Sequence, residues 1–211
     1  MTAELARAGG PIAAAGLGLL IAGTRRELRL GGLVAWAGGC AFLAAYVAPS
    51  GKTAVYAAAA AVGVLGAAAI AVLLRRRPWL VAVSALACAP ARIPVHVGST
   101  DSNLLVPLYA VIAGAAVLLG WELVRGDRRS RELGPLTWPL ALLVGWSGLS
   151  LAWTKDLHEG SVSLLFFWLP FGVLALSLSR LAWSRRWLTF LYAQVALMAV
   201  AFSAIDRKSV V

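Results

Sequence analysis

The sequence predicts an all-α fold: a polytopic transmembrane helix bundle of about eight helices, with its N-terminus outside. Three observations predict it. The first is composition. Of 211 residues, 61% are hydrophobic and 13% charged, with a mean hydropathy of +0.83. Soluble domains carry about 25% charged residues, so too few polar side chains exist here to face water on every side. Lipid must cover much of the surface. The second is that apolar runs of membrane-crossing length recur, separated by short connections. The third is that every second connection is loaded with arginine.

The first apolar segment runs near Gly10–Gly23 and is short and glycine-rich. The second is Leu33–Ala48, followed by the turn signal Pro49-Ser50-Gly51. The third is Thr53–Leu74. The fourth runs from Trp79 to about Pro90, or as far as Val95. The fifth is Leu104–Val124, the sixth Leu136–Trp153, the seventh Ser161–Leu178 and the eighth Trp187–Ile205. Each is read as a span because about 20 apolar residues are needed to cross the hydrocarbon core.

The connections set the orientation. Arg25, Arg26 and Arg29 lie between segments one and two, and Arg75, Arg76 and Arg77 between three and four. Arg125, Arg128, Arg129 and Arg131 lie between five and six, and Arg180, Arg185 and Arg186 between seven and eight. The alternate connections hold a single basic residue each: Lys52, Arg92 and Lys155. Positively charged loops stay in the cytoplasm, which puts the N-terminus outside. A skipped helix would reverse every later loop, and the alternation never breaks. The localisation expected is the bacterial inner membrane, with multiple passes.

The net charge of +10 does not imply a nucleic-acid partner. The positive residues sit in short inter-helix loops, where they meet anionic head groups, and no basic helix or stacking platform accompanies them. The partner expected from composition is the lipid bilayer. Small residues should let helices approach closely: Ala57 to Ala61, Gly63 and Gly66 in segment three, and Gly114 and Gly120 in segment five. Trp79, Trp121, Trp138, Trp153, Trp183 and Trp187 fall near segment ends and read as interface anchors. Cys40 and Cys88 lie inside apolar segments as small hydrophobes, with no spacing for a disulfide or a metal. No Walker A loop or HExxH motif is present, which excludes an ATP-driven pump encoded by this chain alone. No cofactor and no metal are expected.

Two outward connections hold the polar groups. The first contains Arg92 between Pro90 and Pro94, then His96 and Asp101. The prolines stop a regular helix near the membrane boundary. Two readings of Arg92 stand side by side: its planar guanidinium contacts a phosphate or diphosphate of a lipid-linked substrate, or it snorkels to the interface. His96 has no partner at metal-ligand spacing and reads as a loop histidine. The second connection clusters Lys155, Asp156, His158 and Glu159. A general acid or base is one reading, and a solvated loop whose acids start a helix is the other. Ser147 and Ser150 should bond back to carbonyls of their own helix. Gln194 is the one strongly polar side chain deep in a span, with helix-to-helix contact as its default role.

Three stretches carry a family resemblance. They are Ala89-Pro90-Ala91-Arg92-Ile93-Pro94-Val95 with Asn103 to Tyr109, then Leu149 to Gly160, then Leu164 to Val173. From Arg77 onward the chain resembles the O-antigen ligase and O-antigen polymerase family of bacterial membrane glycosyltransferases, in an Ala-, Gly- and Arg-rich actinobacterial version. The resemblance implies transfer or polymerisation of a glycan from a polyprenyl-diphosphate-linked oligosaccharide on the outer side of the membrane. It places the family's catalytic groups in later helices and a large outward loop, so no catalytic residue is carried over here. Only Arg92 sits in a matched motif, as a candidate substrate-binding residue. It divides the chain into three extra helices over 1–77 and the first part of the ligase-like membrane domain over 78–205. Residues 206–211 (Asp206-Arg207-Lys208-Ser209-Val210-Val211) read as the in-frame translation of a sequencing adapter. The chain is accordingly expected to be an N-terminal fragment, inactive alone. The competing class is a non-enzymatic polytopic membrane protein, such as a solute transporter or an assembly subunit.

Overall fold

The computed structural model describes residues 3–48, 53–90, 93–97 and 100–209. The fold is all-α but for one short hairpin, and each apolar segment of the sequence is helical over most of its length. Among the described residues, seven helical runs are long and apolar enough to cross a membrane. α1 (Ala3–Ala22) and α2 (Arg26–Val47) both begin seven residues before the apolar runs they contain. Good helix formers extend them, and Glu4 and Glu27 in their first turns favour the positive ends of the helix dipoles. α3 (Thr53–Arg76) ends in Arg75 and Arg76, the charge that suits a helix C-terminus.

α4 (Leu80–Cys88) departs from expectation. It has nine residues. That is about 13 Å of helix against about 30 Å of hydrocarbon, so α4 alone does not cross a membrane. Pro90 prevents its continuation. The chain instead forms an antiparallel hairpin of β1 (Ile93–Val97) and β2 (Thr100–Leu104), pairing Ile93 with Leu104 and His96 with Asp101. Ile93, Val95 and Val97 are β-branched at alternate positions, which suits a strand. Pro94 is tolerated because both strands of a two-stranded sheet are edges. Arg92, the candidate substrate contact, lies outside the described residues, as do Lys52 and the turn at 49–52.

α5 (Val106–Val124) returns from the hairpin. A 3-10 turn at Gly134–Leu136 leads into α6 (Thr137–Leu149). α7 (Leu157–Ser163) starts at Asp156, whose carboxylate accepts the Glu159 backbone N–H at 2.9 Å. It widens into a π-turn at Leu164–Trp168 and continues as α8 (Leu169–Ser179). Pro170, at the start of α8, has no N–H for a regular ladder, and the wide turn immediately before it absorbs the mismatch. α9 (Arg185–Ser209) is the last element.

α1 is the centre of the bundle. Its Ala13, Ala14, Leu17, Leu20 and Ile21 are fully buried, and it packs against α2, α6 and α8. The first two helices meet backbone to backbone through glycines seven residues apart: Gly9 and Gly16 on α1, Gly32 and Gly39 on α2. A Cβ on Gly16 would sit 2.6 Å from the Gly32 carbonyl oxygen, and one on Gly39 would sit 2.6 Å from that of Gly9. Segment three behaves differently from expectation. Gly63 and Gly66 face open space, and α3 packs on α5 through Ala67, Ile70, Ala71 and Leu74 instead. Gly114 does serve close packing, facing Ile70, and Gly120 faces Leu33.

α9 lies at the edge. It reaches α4 through a Trp79–Trp187 stack with ring centroids 4.7 Å apart, and through Gln194, which donates to the Val83 carbonyl at 3.1 Å. Gln194 is thus a helix-to-helix contact. Ser147 and Ser150 donate to Leu143 and Ser147 carbonyls, as the sequence predicts. Cys40 and Cys88 are free and half-buried.

Candidate functional site

The polar groups that the fold brings together are not those in the loops around Arg92 and Lys155. They come from the arginine-rich connections. Arg26 and Arg29 stand in the first turn of α2, which directs both side chains at the end of the bundle. α5 stops when Gly126 takes a left-handed backbone (φ 99°), open to glycine without a Cβ penalty. Arg131 is also left-handed (φ 54°). Between them the chain folds back, and Asp127 and Glu132 face inward. Arg180 caps the end of α8.

These groups form one ion-pair cluster. Glu132 Oε1 accepts from Arg29 Nη1 at 2.9 Å and from Arg180 Nη1 at 3.0 Å. Arg180 Nη2 donates to Glu122 at 2.6 Å and to Asp127. Arg129 donates to Asp127 at 3.1 Å and to Glu122 at 3.1 Å. Arg29 also donates to the Leu20 carbonyl at 3.0 Å and to the Arg129 carbonyl. Three guanidinium groups thus face three carboxylates. Arg26 completes the arrangement by donating to the Leu123 and Val124 carbonyls at 2.9 and 2.8 Å, at the C-terminal end of α5. The Arg29 side chain is 2% exposed and those of Glu132 and Arg180 are each 6% exposed. Buried charges persist only when paired in this way.

The cluster shows that three arginine-rich connections, separated by up to about 150 residues of chain, meet at one end. The fourth joins them: Arg75 lines a cavity of about 120 Å³ with Glu122, Arg129 and Arg180. The alternation in the sequence is therefore a physical separation of the two ends of the bundle.

Within the cluster, Asp127 and Arg129 are held in their charged forms. Burial acts to raise the Asp127 carboxyl, but hydrogen bonds from the Arg129 side chain and backbone and the charge of Arg180 outweigh it and hold the group at about 2. Hydrogen bonding to Asp127 likewise raises the Arg129 guanidinium against the opposing effect of burial. A carboxyl held so far below neutral pH is a weak general base and has no proton to give as an acid. The folded-state value lies below the ordinary 3.8, so this stabilisation is complete above about pH 4 and fades as pH falls toward 2. A Asp127→Asn variant should flatten the acid limb of thermal unfolding in detergent between those limits. An unchanged acid limb would show that Asp127 plays no part.

At the opposite end, the described groups are dispersed. Asp156 is used as a helix cap. Lys155 and Glu159 are exposed. The His158 ring lies 6.2 Å from the Tyr46 ring. His96 and Asp101 hold facing ladder positions in the hairpin. Among the described residues, no group of three His, Cys, Asp or Glu side chains is placed to hold a metal ion. No family model, no curated protein and no solved structure matches this chain.

Proposed function

We propose that this chain provides the membrane scaffold of an O-antigen ligase- or polymerase-type glycosyltransferase in a bacterial inner membrane. The partner is a polyprenyl-diphosphate-linked oligosaccharide, handled on the outer side. The observation that supports this reading most is the position of the hairpin. The stretch resembling the family, Ala89 to Tyr109, leads from the short α4 into the start of α5, the end of that helix away from the arginine cluster. Under the proposal, that end faces outward and Arg92 offers its guanidinium to the carrier diphosphate. The acid–base groups of the reaction belong, by the resemblance, to later helices of the family.

Deleting the gene in its host tests the proposal. Lipid-linked oligosaccharide should accumulate in the membrane while surface polymer is lost. A second reading is a solute transporter, favoured by the interruption of α4 within the apolar region, since transporters bind at broken helices. Lost uptake of a small solute with unchanged lipid-linked glycan would establish that reading and defeat the first.

A further inference from the structure

At the arginine-rich end, a second cavity of about 180 Å³ lies beside the first, between the starts of α4 and α9. Trp79, Trp183, Trp187 and Leu191 line it. Both cavities share Pro78 and Leu181 as walls. The two cavities adjoin at these residues as two apolar branches, one along Val81 and Leu119, the other along the tryptophan stack, with charged side chains in the lining of the first.

The charge in that lining is uneven. Glu122, Asp127 and Glu132 are engaged by Arg29, Arg129 and Arg180. Arg75 lines the same cavity, and among the described residues no carboxylate lies within ion-pair distance of it. Arg129 keeps half its side chain exposed, so its outer edge is open to a further acceptor. Two guanidinium groups flanking an apolar cleft at a membrane interface match a phosphate with acyl chains beneath it. The exposed part of Glu122 disfavours a doubly charged group and suits a singly charged phosphodiester.

We propose that this groove binds one anionic diacyl phospholipid of the arginine-side leaflet, its phosphodiester on Arg75 and Arg129 and the upper part of one acyl chain in each branch. The site is separate from the glycan chemistry proposed for the other end. It gives α9, which packs on little else, a lipid wedge against α4 and α8.

Thermal-shift titration of the full chain in neutral detergent tests this with phosphatidylglycerol, phosphatidylcholine and inorganic phosphate. Phosphatidylglycerol should raise the Tm saturably, and the other two should not. Arg75→Gln should weaken the phosphatidylglycerol response about five-fold, the effect of one arginine near a lipid phosphate. Arg25→Gln, at the same end but away from the groove, should leave it unchanged. Leu181→Trp, which fills the shared wall, should weaken it as well. Equal responses to phosphatidylglycerol and phosphatidylcholine, equal losses in Arg75→Gln and Arg25→Gln, or stabilisation by inorganic phosphate would each overturn the proposal.

Discussion

Replacing Glu132 with alanine should destabilise the bundle by about 3–5 kcal/mol, the cost of stripping one partner from a buried ion pair. Exposed ion pairs are worth about 0–1 kcal/mol, so the position of Glu132 decides the size of the effect. Its Oε1 serves both Arg29 and Arg180, and all three side chains are almost wholly buried. Arg29 would keep only carbonyl acceptors, and its Nη2 has no protein partner in the intact cluster among the described residues. Arg180 would keep Glu122 and Asp127. Glu132→Gln keeps an acceptor oxygen and should cost less than Glu132→Ala. Unfolding in detergent measures both. If the two variants unfold alike and within 1 kcal/mol of the parent, the cluster is a surface feature and not a staple.

Gly39→Ala should cost about 1–3 kcal/mol, the usual penalty for overpacking a tight contact. The new methyl would press on the Gly9 carbonyl and the backbone at Ala13, which cannot swing aside as a side chain would. Gly63→Ala should do the reverse. That position is helical with open space around it, so alanine should stabilise by roughly 0.5–1 kcal/mol through helix propensity. The opposite signs separate packing from propensity. A matched response from the two variants would mean that α1 and α2 do not meet as described.

Much of this fold was legible because lipid-facing helices advertise themselves by density of apolar residues. The eight segments and the alternation of arginine needed no tertiary information. The ends of α1 and α2 were less legible, since polar helical turns such as Arg26–Leu30 carry no apolar signal. The length of α4 was half visible: Pro90 and Pro94 marked a break, but a loop reading concealed the alternation of Ile93, Val95 and Val97. The ion-pair cluster was hidden for a different reason. Arg29, Arg129 and Arg180 were accounted for as topology signals, and loop charge says nothing about which carboxylate it will meet. Arg180 and Glu132 are 48 residues apart, and only the packing of α6 and α8 on α1, and of α5 on α8, brings them together. One signal was available. Asp127 and Glu132 are acids inside the most basic connection, and Glu122 stands in the last turn of the helix before it, an unusual cost for a loop that needs only positive charge. The seven-residue spacing of Gly9 with Gly16 and of Gly32 with Gly39 was equally available, whereas the alanine run of α3 is exposed from Ala58 to Ala61.

A bundle with its arginine-rich end in the cytoplasm is tested most directly by single-cysteine labelling across α6. In a background with Cys40→Ser and Cys88→Ser, cysteines would be placed at Ser130 and Lys155, both exposed and on opposite sides of that helix. A membrane-impermeant maleimide should label Lys155→Cys on intact cells and Ser130→Cys only after permeabilisation. Labelling of Ser130→Cys on intact cells would contradict the orientation, and labelling of both positions without permeabilisation would contradict the membrane crossing itself.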